Sequence, residues 1–320
     1  MRASCFIILL ALSIVPAPKG EAQTTAPLQG RVVDASAAAI PGASVVVRDP
    51  DTGFSATATS DAEGRYHLPA ILAGVYQVTS EAPGFRSIHI ESLTFEVGRT
   101  LVRDFELAVD TQREAVVVRA EAPLLDRATS TVGQVVSEQT VKDMPLNGRH
   151  FVDLGPLVPG SVAPSQTGFS TTPIRGTGAL AFQTTGNREE AVGYIVNGVT
   201  TNNLTFGSIS FPPPVASIQE FKIDNSTFTA EYGHVSGAIV NLVTRSGTDQ
   251  FRGEAYEFFR NDALDARNFF EFTTPDPHPF ERNQFGGAFG GPILRNRMFF
   301  FGTYEGLRQR QGIDMNTVVP

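Results

Sequence analysis

Tryptophan is absent from the 320 residues, and cysteine occurs once, as Cys5. Because Cys5 lies within an apolar N-terminal run, the chain beyond it has no thiol, which excludes disulfides, cysteine zinc sites and a cysteine nucleophile. The five histidines (His67, His89, His150, His234 and His278) are scattered, and none stands at metal-ligand spacing from another. No G-x-S-x-G occurs, and the glycine-rich run at 286–291 lacks the strand–helix context of a phosphate loop. Lone carboxylates such as Glu189 and Glu190 read as solvated loop residues. The sequence therefore offers no catalytic constellation, no cofactor motif and no metal site, and the chain reads as a non-enzyme. A net charge of -8 with no basic stripe argues against a nucleic-acid partner. No stretch approaches the ~20 apolar residues of a membrane-spanning helix.

What is present begins with Arg2, the apolar run Phe6 to Val15 broken only by Ser13, and a small, polar stretch from Pro16 to Ala22. This is the pattern of a secretory signal peptide, residues 1–22, with cleavage expected after Ala22. Cys5 precedes the end of the apolar run and is badly placed for a lipoprotein site. Thirty glycines and 21 prolines, without long helical periodicity, indicate a mainly β, turn-rich chain of two or more domains.

From 27 to 109, short alternating strands lie between turn signals. Gly30 to Asp34, Ala43 to Asp49, Gly53 to Ser60, Arg65 to Leu68, Gly74 to Glu81 and Arg103 to Val109 read as strands of a small β-sandwich. Its expected core includes Val32, Val45, Val47, Tyr66, Tyr76 and Val78. The D-A-E-G at Asp61 to Gly64 lacks the further acidic positions of a calcium loop and fits a hairpin turn.

Residues 110–123 change character: a polar, acidic start gives way to Glu114-Ala115-Val116-Val117-Val118-Arg119-Ala120, and Pro123 ends the segment. Three valines favour an extended strand, whose free backbone suits pairing with a partner's sheet edge. The alternative is that they form a last strand of the sandwich. From 124 to 247 the chain is rich in Gly, Asn and Thr. Short apolar strands appear at Tyr194 to Val199 and Ser217 to Ile223, and one helical turn or two at Glu138 to Asp143.

Half of the phenylalanines, 12 of 24, fall within residues 251–305. Phe251 to Arg260, Asn283 to Ile293 and Met298 to Leu307 each match the roughly 9–11 residues of a tilted membrane strand. In the third, Met298, Phe300, Gly302 and Tyr304 share one face, and Phe299, Phe301, Thr303 and Glu305 the other. One face would meet lipid and the other the lumen or whatever fills it. Phenylalanine and tyrosine would take the interfacial role that tryptophan commonly fills. Arg260 to Asn268 and Pro275 to Pro279 read as connections outside the membrane.

The motifs G-R-V-V-D (30–34), P-G-A-S-V (41–45), T-S-D-A-E-G-R-Y (59–66), G-V-Y-Q-V (74–78) and P-G-F (83–85) resemble the carboxypeptidase regulatory-like domain. That domain carries no catalytic residues of its own, so the likeness implies no peptidase. M-P-L-N-G-R (144–149), Y-I-V-N-G-V (194–199), S-I-Q-E-F-K (217–222) and A-E-Y-G-x-x-x-G-A-I-V-N-L-V-T-R-S-G (230–247) are followed by R-N-D-A-L-D-A-R-N-F-F (260–270), R-N-Q-F-G-G-A-F-G-G-P-I (282–293) and F-F-F-G-T-Y-E-G-L-R (299–308). Together they resemble TonB-dependent outer-membrane receptors of the Oar-like group. The chain departs from the family pattern at Asn197-Gly198, where D-G is usual, and at His150 within R-H-F, where R-N-F is usual. Both replacements leave the fold expectation intact.

The resemblance implies a mainly β chain in the cell outer membrane: the sandwich, a TonB-receptor plug domain at 124–247 (α+β, mostly β), and the start of a transmembrane barrel at 248–320. It implies a TonB energy-transducing partner, outer-membrane lipid, and a large substrate of unknown identity, with carbohydrate among the candidates. Residues 114–120 resemble the TonB box. The expected function is energised uptake; the alternative is a surface interaction or secretion role, binding carbohydrate, matrix or an exported protein. About three barrel strands are present where plugged transporters close with around 22, and open edges do not persist in hydrocarbon. The sequence-based expectation is therefore a truncated or partial reading frame.

Overall fold

Val32, Val45, Val47, Tyr66, Tyr76 and Val78 alternate with outward residues along their strands, and in the computed structural model all six turn into one interior. The structure describes residues 25–312 apart from 110–115, 119–132, 145, 147, 163–181, 189–190, 204–207, 226–227, 229–231 and 267–278. The expected signal peptide, residues 1–22, lies outside the described residues.

The first body contains β1 (Thr25–Asp34), β2 (Ser44–Arg48), β3 (Ser55–Thr59), β4 (Arg65–Leu72), β5 (Gly74–Glu81), β6 (Ile88–Phe95), β7 (Leu101–Val102), β8 (Phe105–Leu107) and β9 (Val116–Val118). One sheet runs β3-β2-β5-β6-β9; the other is built on β1, flanked by β4 and by the parallel pieces β7 and β8. Tyr76 packs edge-on against Phe95 in the core between them, with ring centroids 5.1 Å apart.

Two elements differ from the sequence-based expectation. Sequence periodicity misses β6, because Tyr76 pairs with Leu93 while Val78 pairs with Ile90, placing an extra residue in β6. That bulge breaks the period of two, so Ile90, Leu93 and Phe95 are buried at uneven spacing. Of the expected strand at Arg103 to Val109 only Phe105–Leu107 forms, as β8; it is separated from the preceding β7 where Arg103 donates its N–H to Gln29 O and Asp104 accepts the Arg31 N–H. The D-A-E-G segment is a turn: Asp61 accepts from the Glu63 and Arg65 N–H groups, and Gly64 takes φ +75°. At Gly64 a Cβ would stand 2.5 Å from Val32 O, so glycine is required by both space and backbone.

The middle body contains β10 (Gly133–Ser137), α1 (Glu138–Asp143), β11 (Ser161–Val162), β12 (Gln183–Thr184), β13 (Gly193–Val196), β14 (Val199–Thr200), β15 (Ile218–Asp224) and β16 (Ile239–Thr244). Its main sheet has the order β10-β15-β16-β13-β14, antiparallel except for β13 beside β16. Helix α1 starts where Ser137 Oγ accepts from Thr140 N–H, with Glu138 in the first turn and Lys142 in the last. Asn197 (φ 50°) and Gly198 (φ 81°) form the two-residue hairpin between β13 and β14. The Asn197 replacement noted above keeps the left-handed conformation such a turn demands.

The third body is β17 (Arg252–Asn261), β18 (Phe280–Leu294) and β19 (Met298–Gln311), paired antiparallel in sequence order. Large side chains stand in register with glycines: Tyr256 opposite Gly286, Phe289 opposite Gly302, Phe300 opposite Gly291 and Tyr304 opposite Gly287. A Cβ at Gly286 would meet the Tyr256 hydroxyl at 2.6 Å. The glycine-rich run 286–291 thus makes room for neighbouring rings. Phe300 and Tyr304 point outward, while Glu305 on the other face turns toward the middle body, as the alternation expects.

Candidate functional site

The candidate coupling segment falls at the sandwich edge. Val116, Val117 and Val118 pair in parallel with Ile88, His89 and Ile90, adding β9 as the outermost strand beside β6. Upstream, Arg86 N–H bonds Ala108 O and Phe85 bridges Val109, which brings the chain back toward this edge. Glu114, Ala115, Arg119 and Ala120 lie outside the described residues. The described part of the motif is thus the last strand of the sandwich's own sheet, the alternative that the sequence left open.

A second junction, between the sandwich and the middle body, was not anticipated as a site. The loop after β6 presents backbone groups to side chains of β15. Glu220 Oε1 accepts the Val97 N–H, and Lys222 Nζ donates to Gly98 O at 2.9 Å. Gln219 Nε2 donates to Ala73 O at 2.9 Å. Val97 is fully buried and packs with Ala73 and Val243 in a small apolar cluster across the junction. Burial pushes the Glu220 carboxyl up to about 7; the Val97 hydrogen bond pulls it down and the Glu96 charge pushes it further up. Lys222 also pairs with Asp224 at 3.0 Å, both side chains being buried. One signal in the sequence could have revealed this junction: Glu220, Lys222 and Asp224 put a charge at every second position of a strand, alternating with the apolar Phe221 and Ile223.

A third junction joins the middle body to the inner face of the three long strands. Arg149, held at φ 54°, lays its guanidinium over Tyr256 and Phe258, 4.7 and 4.3 Å from the ring centroids. Tyr256 Oη donates to Glu305 Oε2 at 2.7 Å, and Gln284 Nε2 donates to Glu305 Oε1 and to Gly148 O. Arg245 Nη1 donates to Glu254 Oε1 at 2.9 Å, while Lys142 Nζ lies 3.3 Å from Glu254 Oε2 and 2.7 Å from Glu138. Polar groups that would be costly in hydrocarbon thus face protein. Arg149, Glu220 and Lys222 all sit in motifs that carry the family resemblance, yet sequence alone gave them no role. Among the described residues no group of three or more His, Cys, Asp or Glu is placed to hold a metal ion.

Residues 27–108 match the carboxypeptidase regulatory-like domain family, and residues 243–320 match an outer membrane beta barrel domain family. The TonB-dependent transporter Oar of Myxococcus xanthus is 25% identical over 287 residues, covering 85% of this chain and 26% of its own length. The chain thus spans about a quarter of the length of that relative. Among solved structures, the siderophore receptor PirA from Acinetobacter baumannii is 19% identical, with 56% of this chain and 25% of that chain covered and a TM-score of 0.41. The 3-chlorocatechol 1,2-dioxygenase from Rhodococcus opacus 1CP is 14% identical, with 30% and 63% covered and a TM-score of 0.24. Similarities as slight as these two add nothing to the assignment. The chain thus carries a carboxypeptidase regulatory-like domain followed by residues of an outer membrane beta barrel domain, and over most of its length it is similar to the TonB-dependent transporter Oar.

Proposed function

We propose that the chain serves energised uptake of a large substrate across the outer membrane, driven through a TonB transducer that engages residues 114–120. On this reading 1–22 is a cleaved signal peptide, 27–109 a periplasmic sandwich, 110–123 the coupling linker, 124–247 the plug and 248–320 the start of the barrel. The observation that carries the reading is the contact of Glu254, Gln284 and Glu305 with the middle body. Polar side chains on the inner face of barrel-family strands are satisfied by a separate folded body, the relation of a plug to its lumen. The named relative is a transporter, which supports transport rather than catalysis.

The test exposes cells with and without TonB to a panel of labelled large solutes, oligosaccharides included. Accumulation that requires both this protein and TonB is the expected result. Surface binding without TonB-dependent accumulation of any solute would favour an adhesive or secretory role instead.

A further inference from the structure

We propose that the sandwich stores the coupling strand: the β6 edge at Ile88–Ile90 holds Val116–Val118, and the transducer engages the strand along the edge that β6 occupies, displacing it. This rests on the reading of residues 114–120 as the coupling segment. The backbone of a strand has two hydrogen-bonding edges, and β9 gives one of them to β6 over three register pairs. That edge is withheld from any other sheet while the pairing lasts. The pairing also covers β6, which would otherwise end the sheet with unpaired N–H and C=O groups.

The hold is built to be weak. It covers three residues, and it is parallel, so its slanted bonds are somewhat less stable per residue than antiparallel ones. By contrast β5 and β6 pair antiparallel along nearly their whole lengths, so the storing edge stays in place when the stored strand leaves. The storing strand also runs directly into the loop that Glu220 and Lys222 grip. A shift of the middle body at this junction would act on the storing strand itself. The sandwich is thus a brake on engagement as well as a folded module.

The test uses the full-length protein in outer-membrane preparations, with Cys5→Ser removing the native thiol. Val117→Cys and His89→Cys place thiols at register partners, and a short bifunctional thiol reagent reports their proximity. A control pair, Ser44→Cys with Glu81→Cys, reports β2 beside β5 within the same sheet. The added probe is the purified periplasmic domain of the transducer, with its binding followed by co-sedimentation. The expected result is an efficient 89–117 crosslink that falls severalfold at saturating transducer domain while the control crosslink holds. No 89–117 crosslink in the free protein, with the control intact, overturns storage. A crosslink unchanged while the transducer domain co-sediments overturns displacement. If the domain fails to bind the protein without cysteine substitutions at all, the coupling reading itself falls and this proposal with it, a result told apart by the binding assay alone.

Discussion

Glu220 in the middle sheet accepts a hydrogen bond from the backbone N–H of Val97 in the sandwich, across 123 positions of sequence. A buried carboxylate bonded to another body's backbone makes the contact between the two bodies depend on protonation. The carboxyl is raised from 4.5 to about 7, chiefly by burial. A group raised in the folded state contributes stability that is complete below its ordinary value and is lost as pH rises through the folded value. Docking should therefore weaken between pH 4.5 and about 7. At about 1.4 kcal/mol per pKa unit, the loss is at most ~3 kcal/mol. Protection of the Val97 amide, corrected for intrinsic exchange, should fall across this window. In Glu220→Gln, which keeps an acceptor oxygen and cannot ionise, protection should stay flat.

Lys222 and Asp224 form a buried pair whose cation also holds Gly98 O. Lys222→Met should destabilise the chain by about 3–5 kcal/mol, because it removes the cation 3.0 Å from the buried Asp224 carboxylate together with its bond to Gly98 O. Adding Asp224→Asn should recover part of the loss. Denaturant unfolding of the two variants beside the unaltered chain measures both effects.

Asn197 occupies the left-handed region and holds β16, accepting the Thr244 N–H at 3.0 Å. Asn197→Ala should cost about 1–2 kcal/mol for the backbone conformation, with a further loss for the hydrogen bond. Asn197→Asp keeps the acceptor and a tolerated turn residue, and should unfold close to the unaltered chain in the same assay.

Tyr76 is 5% exposed and packs between Phe95 and Phe54. Tyr76→Ala should lower sandwich stability by ~3–5 kcal/mol, as for other buried aromatic truncations. Thermal unfolding followed by β-type circular dichroism checks this, and the midpoint should not respond to chelator.

The six core residues expected from strand alternation are all buried, and α1 spans the residues expected of it, because local period and capping set both. The three Phe-rich strands were legible for the same reason, although β18 and β19 run several residues beyond their apolar stretches. What the sequence hid depends on register between distant segments. The bulge in β6 scrambles its period, and β7 and β8 are held by β1, some seventy residues earlier, rather than by any pattern of their own. The junction residues Arg149, Glu220 and Glu305 read as ordinary polar positions until the bodies are brought together. Val116–Val118 were legible as a strand with the sandwich as one of two expected partners, but the β6 edge they pair with was not.

The account turns on residues 114–120 meeting the transducer through backbone pairing. Proline at position 117 removes an N–H and disfavours a strand, whereas isoleucine changes only the side chain. A photo-crosslinker at position 116 in the full-length protein, in cells that contain TonB, is the most direct measurement. The account predicts a crosslink to the TonB periplasmic domain in the otherwise unaltered protein and in Val117→Ile, and its loss in Val117→Pro at equal surface expression. An undiminished crosslink in the proline variant, or none in the otherwise unaltered protein, would contradict it.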